Sequence, residues 1–202
     1  FVHHIVLEGH GREEIDSICQ KYDIKNYTIN EDGTVDVEGN VNLSYDKLTK
    51  IPLKFGRVSG HFTCRFNGLI TLNGCPNWIG GNFSCSSNQL KTLEGGPKFI
   101  GGNFNCPSNY LKTLEGGPKV VVGNYVCNGN RLVNFKGFPE DYEGNYINFH
   151  NNIVYSLLGK IQQVKWIKFI YWCNEFDVIT DEGKVIPERM EEVYNKLGLK
   201  YV

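Results

Sequence analysis

The chain has 202 residues, of which 41% are hydrophobic and 21% are charged, and its formal net charge is −1. This length predicts one domain or one repeat array with short flanking pieces. No apolar run approaches the roughly 18 residues of a membrane span, so the composition excludes an integral membrane protein and a disordered chain. A net charge near zero gives no overall attraction to a phosphate backbone and argues against a general nucleic-acid binder.

Residues 1–37 form a predicted N-terminal cap. Residues 1–7 are typical of a strand and residues 13–22 of a helix, and residues 27–37 predict a hairpin that turns at Asp32-Gly33. The segment carries three basic and eight acidic residues. Its negative charge is opposite to the positive charge of the residues that follow, which favours contact between the two parts.

Residues 38–153 repeat with a period of 21, most visibly in the four cysteines at positions 64, 85, 106 and 127. The same period aligns an asparagine column, which contains Asp46, Asn67, Asn88, Asn109, Asn130 and Asn151. A leucine column contains Leu48, Leu69, Leu90, Leu111, Leu132 and Ile153. An aromatic column contains Val41, Phe62, Phe83, Phe104, Tyr125 and Tyr146. Periods of this length are typical of solenoids, whose coils bury their apolar residues by stacking on their neighbours.

Each repeat contains one predicted strand. Phe62-Thr63-Cys64 alternates inward and outward side chains, and the matching residues of the other repeats do the same. We therefore expect an α+β solenoid, a leucine-rich-repeat-like stack of about six 21-residue coils with one parallel strand per coil. The asparagine amides are expected to bond to the backbone of their own coil and of the next one.

Residues 154–202 form a predicted C-terminal cap, because the repeat pattern decays after Asn151. Residues 160–174 predict an apolar helix and residues 177–186 a hairpin, and a last helix is expected to begin at Pro187 and to end before Gly198. An open solenoid needs its ends covered, so capping is the simplest role for both flanks.

The repeat that begins Gly101-Gly-Asn-Phe-Asn-Cys-Pro-Ser-Asn-Tyr-Leu resembles the leucine-rich-repeat pattern LxxLxLxxNxLxxLP, with Phe104 and Cys106 at strand positions and Asn109 at the asparagine. Glycine replaces the leucine of the first position. The tandem LxxLEGxPxxIGGNFxC units, within residues 24–153, are similar to leucine-rich-repeat proteins encoded by T-even-type tailed phages. The resemblance implies a leucine-rich-repeat-like fold and a viral origin, and it implies no fixed activity.

Seven cysteines are an odd number in a chain of this size, which fits reduced thiols better than a disulfide framework. The cysteine column is expected to fill space, because zinc sites need ligands grouped within a few residues. His3, His4 and His10 with Glu8 are a second candidate metal set, but strand alternation sends His3 and His4 to opposite faces. We expect no metal and no cofactor, and the lack of a secretion-leader pattern predicts a cytoplasmic protein.

No catalytic constellation is found in the sequence. Some bacterial leucine-rich-repeat effectors carry a ligase domain with a Cys-x-Asp motif, but this chain has Cys173-Asn174-Glu175 in a tail too short for such a domain. The sequence also lacks a Ser-His-Asp order, a phosphate loop and an HExxH helix. We therefore predict that the protein is not an enzyme.

The outward strand positions form a predicted concave face whose middle is rich in asparagine, serine and threonine. The ends of this face differ, because they carry aromatic, histidine and arginine side chains, which are the usual anchors of protein interfaces. The candidate partner-binding residues are Tyr45, His61, Arg65, Phe66, Phe149 and His150. Burial of Phe149 and Ile147 under the C-terminal helix is the alternative for the second end.

These features predict a non-catalytic protein–protein interaction module whose partner is a bacterial host factor, such as an antiviral defence protein or a toxin that it inhibits. The alternative is a ligand-binding or nucleic-acid-binding module that uses the Asn/Ser rows. Residues 165–169 place aromatic side chains beside lysines, as in proteins that hold single strands, but this helix is too apolar to stand exposed. We expect no membrane partner.

Overall fold

The computed structural model describes residues 11–201, and most of this chain forms a β-solenoid of about five turns. Parallel strands recur about 21 residues apart, as the repeat predicts. The predicted strand at residues 1–7 and the candidate metal ligands His3, His4, Glu8 and His10 lie outside the described residues. Within residues 11–201, no helix has the length and apolar character needed to cross a bilayer.

Within residues 11–201, the solenoid contains thirteen short strands. In chain order these are β1 (Tyr27–Ile29), β2 (Val35–Val37), β3 (Val41–Asn42), β4 (Phe55–Val58), β5 (Phe62–Thr63), β6 (Trp78–Ile79), β7 (Phe83–Ser84), β8 (Phe99–Ile100), β9 (Phe104–Asn105), β10 (Val120–Val121), β11 (Tyr125–Val126), β12 (Asp141–Tyr142) and β13 (Ile147–Asn148). Sheet 1 has the order β1-β2-β4-β6-β8-β10-β12, and sheet 2 has the order β13-β11-β9-β7-β5-β3. The β1–β2 pair is antiparallel, and the pairs that follow in both sheets are parallel.

Each turn of the solenoid therefore contributes two strands, and the expectation of one strand per coil is wrong. The additional strands are those of sheet 1, in which Ile79 and Ile100 point inward while Trp78 and Phe99 are half-buried on the outer face. Two consecutive apolar residues do not alternate with polar ones, so this segment gives no period-2 signal. Its β-branched and aromatic residues are nevertheless those that strands favour.

The aromatic column is the centre of the core, as the sequence predicts. Phe62, Phe83, Phe104 and Tyr125 are almost completely buried. The ring centroids of Phe62 and Phe83 lie 6.2 Å apart, those of Phe83 and Phe104 lie 5.9 Å apart, and Tyr125 continues the stack at 4.6 Å from Phe104. Neighbouring coils thus share one continuous apolar core.

An asparagine ladder holds successive coils together. Asn109 Nδ2 donates to the carbonyls of Cys106 in its own coil and Cys85 in the preceding coil, and Asn109 Oδ1 accepts the N–H of Leu90. The same arrangement recurs at Asn67, Asn88, Asn130 and Asn152. The predicted bonds between coils are present, but they run to the preceding coil and not to the next one.

The last turn contains one extra residue, which the constant period of 21 does not predict. Tyr125 pairs with Ile147, and Val126 pairs with Asn148, so this register is 22 residues. Because side chains alternate along a strand, a shift of one residue exchanges the inner and outer faces. The predicted assignment of Tyr146, Asn151 and Ile153 to the columns is therefore wrong. Ile147, Asn152 and Val154 occupy these positions instead.

The cysteine column contains a disulfide between Cys106 and Cys127, whose Cα atoms lie 4.9 Å apart. The expectation of reduced thiols is wrong for this pair, because stacked coils bring equivalent residues to the separation that a disulfide requires. The other five cysteines are free and buried.

Short helices flank the solenoid. These are α1 (Arg12–Lys21), α2 (Tyr155–Leu158), α3 (Trp166–Glu175), which follows a 3-10 turn at Gln163–Lys165, and α4 (Pro187–Lys196). Ile15 and Cys19 of α1 join the core near the first turns. Phe169 of α3 packs edge-on against Phe135 in the last turn, with ring centroids 6.2 Å apart. An isolated bridge between Ile179 and Val185 lies between α3 and α4.

Candidate partner-binding site

Tyr45 and Phe66 form an exposed aromatic pair on two adjacent coils. Their ring centroids lie 4.7 Å apart and their planes differ by 10°. Tyr45 is 63% exposed and Phe66 is 46% exposed. Each residue lies three positions after the end of a strand of sheet 2, and the period of 21 places the two rings one above the other. The pair is a flat apolar surface that faces solvent.

Both members of this pair adopt left-handed backbone conformations, with φ of +67° at Tyr45 and +54° at Phe66. The equivalent residues of the next three coils have φ of +55° at Ser87, +57° at Ser108 and +65° at Gly129. The turn therefore requires a positive φ at this position, which is costly for a bulky residue and free for glycine. Strained bulky residues concentrate at functional sites, so the pair is a candidate binding surface.

Arg65 and His61 are exposed on the same coil as Phe66. The backbone N–H of His61 donates to Asn40 Oδ1 at 2.7 Å, and His61 Nδ1 accepts the N–H of Asn82 at 2.8 Å. Asn82 Oδ1 in turn accepts the N–H of Asn103. His61 is therefore one member of a second ladder, in which a side chain of each coil accepts a backbone N–H of the next coil. Because Nδ1 accepts, the ring proton lies on Nε2, which remains free to donate to a partner.

The two predicted residues at the opposite end do not belong to this surface. Phe149 is fully buried, and its ring centroid lies 6.0 Å from that of Phe135. Its expected exposure is wrong because of the extra residue in the last turn. His150 is exposed, and its Nε2 lies 3.1 Å from the hydroxyl of Tyr155. It sits four strands from Phe66, or about 19 Å at the usual strand spacing.

Sheet 1 carries an aromatic ridge that the sequence interpretation missed. The Arg57 guanidinium lies 4.1 Å from the ring centroid of Trp78, and Trp78 stacks on Phe99 with centroids 5.4 Å apart. All three occupy equivalent positions of successive strands. The period of 21 between Arg57, Trp78 and Phe99 marks this ridge in the sequence, but these residues form a surface because they lie in the second sheet.

Cys173 does not have the environment of a nucleophile. It is buried on α3, and burial raises the pKa of its thiol to about 12. Reactive cysteines need a lowered pKa and access to solvent. Across residues 11–201, the acidic, histidine and cysteine side chains form no group of three or more arranged as metal ligands.

Comparison with known proteins finds no relative. The chain matches no protein-family model, no curated protein and no solved structure. The resemblance to leucine-rich-repeat proteins of phages stays a prediction from the repeat motifs, and the function must be inferred from the geometry of the exposed surfaces.

Proposed function

We propose that this chain is a binding module for another protein and acts without turnover. The observation that carries the proposal is the exposed stack of Tyr45 on Phe66, which forms although the backbone at both residues is left-handed. Arg65 is the chain neighbour of Phe66, and His61 adds an exposed polar group just before the strand of the same coil. Aromatic and arginine side chains dominate the binding energy of protein interfaces, so these four residues form a surface of the right chemistry.

Most of the polar side chains that could bind a small ligand already form hydrogen bonds that hold neighbouring coils together. Asn82 and Asn103 accept backbone N–H groups of the following coil, and Ser44 and Thr63 bond to each other across two coils. A ligand would have to compete for these groups. This arrangement supports a protein partner that covers the aromatic pair over a ligand held by the asparagine rows.

The partner we propose is a bacterial host factor, such as an antiviral defence protein or a toxin that the chain inhibits. The support is the resemblance of the tandem repeats to phage proteins. The proposed location is the cytoplasm of an infected bacterium, where full burial of Cys106 and Cys127 would shield their disulfide from reductants.

A single-stranded nucleic acid is the second candidate partner. One observation favours it: the flat exposed pair lies beside Arg65, and bases stack on aromatic rings next to cationic groups. Binding of single-stranded DNA that weakens steeply from about 50 to 200 mM salt would favour this partner. The formal net charge of −1 offers it no wider electrostatic attraction.

The test compares Phe66→Gly with Ser87→Gly in affinity purification from infected bacteria. Both changes place glycine at the same left-handed position of neighbouring coils, so any general effect on the turn is shared. We expect one bacterial protein to co-purify with the parent and with Ser87→Gly, and its affinity for Phe66→Gly to fall about 30-fold, which corresponds to a lost interface anchor of about 2 kcal/mol.

Equal retention of that protein by Phe66→Gly and the parent would show that the aromatic pair is not the binding surface. Recovery of no bacterial protein with the parent, together with a co-purified nucleic acid, would overturn the proposal in favour of the second candidate.

A further inference from the structure

A groove of about 400 Å³ lies at the end of the solenoid, between β12 and α3. Its apolar walls include Phe138, Tyr142, Ile167 and Tyr171, and its polar groups include Glu140 and Glu175. We call it the terminal groove. Its size and mixed lining are those of a site that accommodates a ligand or a large side chain.

Two unpaired surfaces meet at this groove. β12 is the last strand of sheet 1, and the strand that pairs with it among residues 11–201 is β10 on its inner side. On the other side, Val164 of the 3-10 turn and Ile167 and Tyr171 of α3 follow the spacing of one helix face and are 85%, 43% and 56% exposed. An open sheet edge beside an exposed apolar helix face is a surface that a protein partner would cover.

The charges around the terminal groove indicate which kind of partner it would bind. Glu140 and Glu175 line it, Asp141 follows on β12, and none of the described residues that line it is basic. Glu140 is paired with Lys119, whereas Glu175 at the other side is exposed and forms no ion pair with any residue of the range 11–201. Carboxylates beside tyrosine rings attract an ammonium or guanidinium group, through ion pairing and cation–π contact.

The two simplest contacts with a second copy of this chain would not satisfy these charges. A two-fold contact would bring the acidic groove against itself, and like charges across an interface are unfavourable. A head-to-tail contact would meet residues 11–37, which carry seven acidic and three basic residues. The electrostatics therefore favour a different protein.

We propose that the terminal groove binds an arginine or lysine side chain of a partner protein, with the apolar neighbours of that side chain covering Ile167 and Tyr171. The basic group pairs with Glu175, the lining carboxylate that Lys119 does not neutralise, and its aliphatic stem contacts Tyr142. This site is separate from the Tyr45–Phe66 pair, and it rests on the proposed function only in that its ligand comes from a protein.

The probe is a capped peptide of sequence Val-Leu-Arg-Leu-Val, compared with the same peptide in which neutral citrulline replaces arginine. Each is titrated into the full chain and followed by amide chemical shifts. We expect shifts at Tyr142, Ile167 and Tyr171, and at least about tenfold weaker binding of the citrulline peptide, because one charge-assisted contact is lost. Glu175→Gln should weaken the arginine peptide by a similar factor.

The matched control is Glu182→Gln, which removes the same charge from an exposed position outside the groove and should bind the arginine peptide like the parent. Equal binding of the two peptides, unchanged binding to Glu175→Gln, or no shifts at the groove would each overturn the proposal. These results do not depend on the affinity purification, so the groove can fail while the Tyr45–Phe66 surface is supported, and the reverse.

Discussion

Cys106 and Cys127 occupy the same position of two adjacent coils, 21 residues apart, and are joined by a disulfide inside the core. The bond closes a loop of one full turn of the solenoid. Cross-linking a loop of this length typically adds about 3 kcal/mol to the free energy of unfolding. It fastens one turn to the next beside the asparagine ladder.

We expect thiol titration to show this bond directly. Protein denatured without reductant should expose the five free cysteines, and the same protein treated with reductant should expose all seven. Reduction should also lower the free energy of unfolding by about 3 kcal/mol. Seven reactive thiols in unreduced, denatured protein would show that the column is reduced in solution.

Asn109→Ala should lower the free energy of unfolding by about 3 kcal/mol. The change leaves the N–H of Leu90 and the carbonyls of Cys85 and Cys106 without their amide partner in a buried site, and each such loss costs about 1–3 kcal/mol. Denaturant unfolding measures the difference. Asn128→Ala, at a partly exposed position of the same coil stack, is the control and should change stability little.

His61→Asn should fold with nearly the stability of the parent, whereas His61→Leu should lose about 1 kcal/mol. Asparagine already fills this ladder position at Asn40, Asn82 and Asn103, where its Oδ1 accepts a backbone N–H of the next coil. Leucine cannot accept that bond. Similar thermal midpoints for the two variants would contradict the role of His61 in the ladder.

Phe66→Gly should change the free energy of unfolding by less than about 1 kcal/mol. Relief of the left-handed backbone, about 1–2 kcal/mol, opposes the loss of the stack on Tyr45, about 0.5–1.5 kcal/mol. Phe104→Ala is the contrast, because it opens a cavity in the core and should cost about 3–5 kcal/mol. Comparable destabilisation of both variants would mean that Phe66 is a structural residue.

Stability should fall as the pH rises above about 9. The ordinary thiol pKa is 9.0, and burial raises that of Cys173 to about 12, so the unfolded chain loses this proton while the folded chain retains it. The stabilising effect is complete below pH 9 and is lost as the pH approaches 12. Unfolding measured from pH 8 to 10.5 should show a smaller decline for Cys173→Ala than for the parent.

The repeat period predicts a large part of the fold from the sequence. Phe83 and Phe104 had to share a buried column because their spacing is constant and their neighbours alternate in polarity. The Asn67-to-Asn130 positions predicted a ladder for the same reason. These features depend on local chemistry that each coil repeats, so the sequence displays them several times.

The second sheet and the register of the last turn are harder to predict from the sequence. The strands at Trp78 and Phe99 are two residues long with apolar side chains on both faces, so no alternation marks them. The extra residue before Ile147 moves Phe149 into the core, and a fixed period of 21 cannot show an insertion that occurs once.

The sequence by itself determined that this protein is a stack of 21-residue turns with aromatic, leucine and asparagine columns, because a repeated pattern is stable only when its copies stack. Only the tertiary structure decided which residues, distant in the chain, meet. Tyr45 reaches Phe66, Cys106 reaches Cys127, and β12 meets α3 at the terminal groove. These relationships depend on coil register and on where the last helices lie against the stack, and they are set by packing between residues distant in the chain.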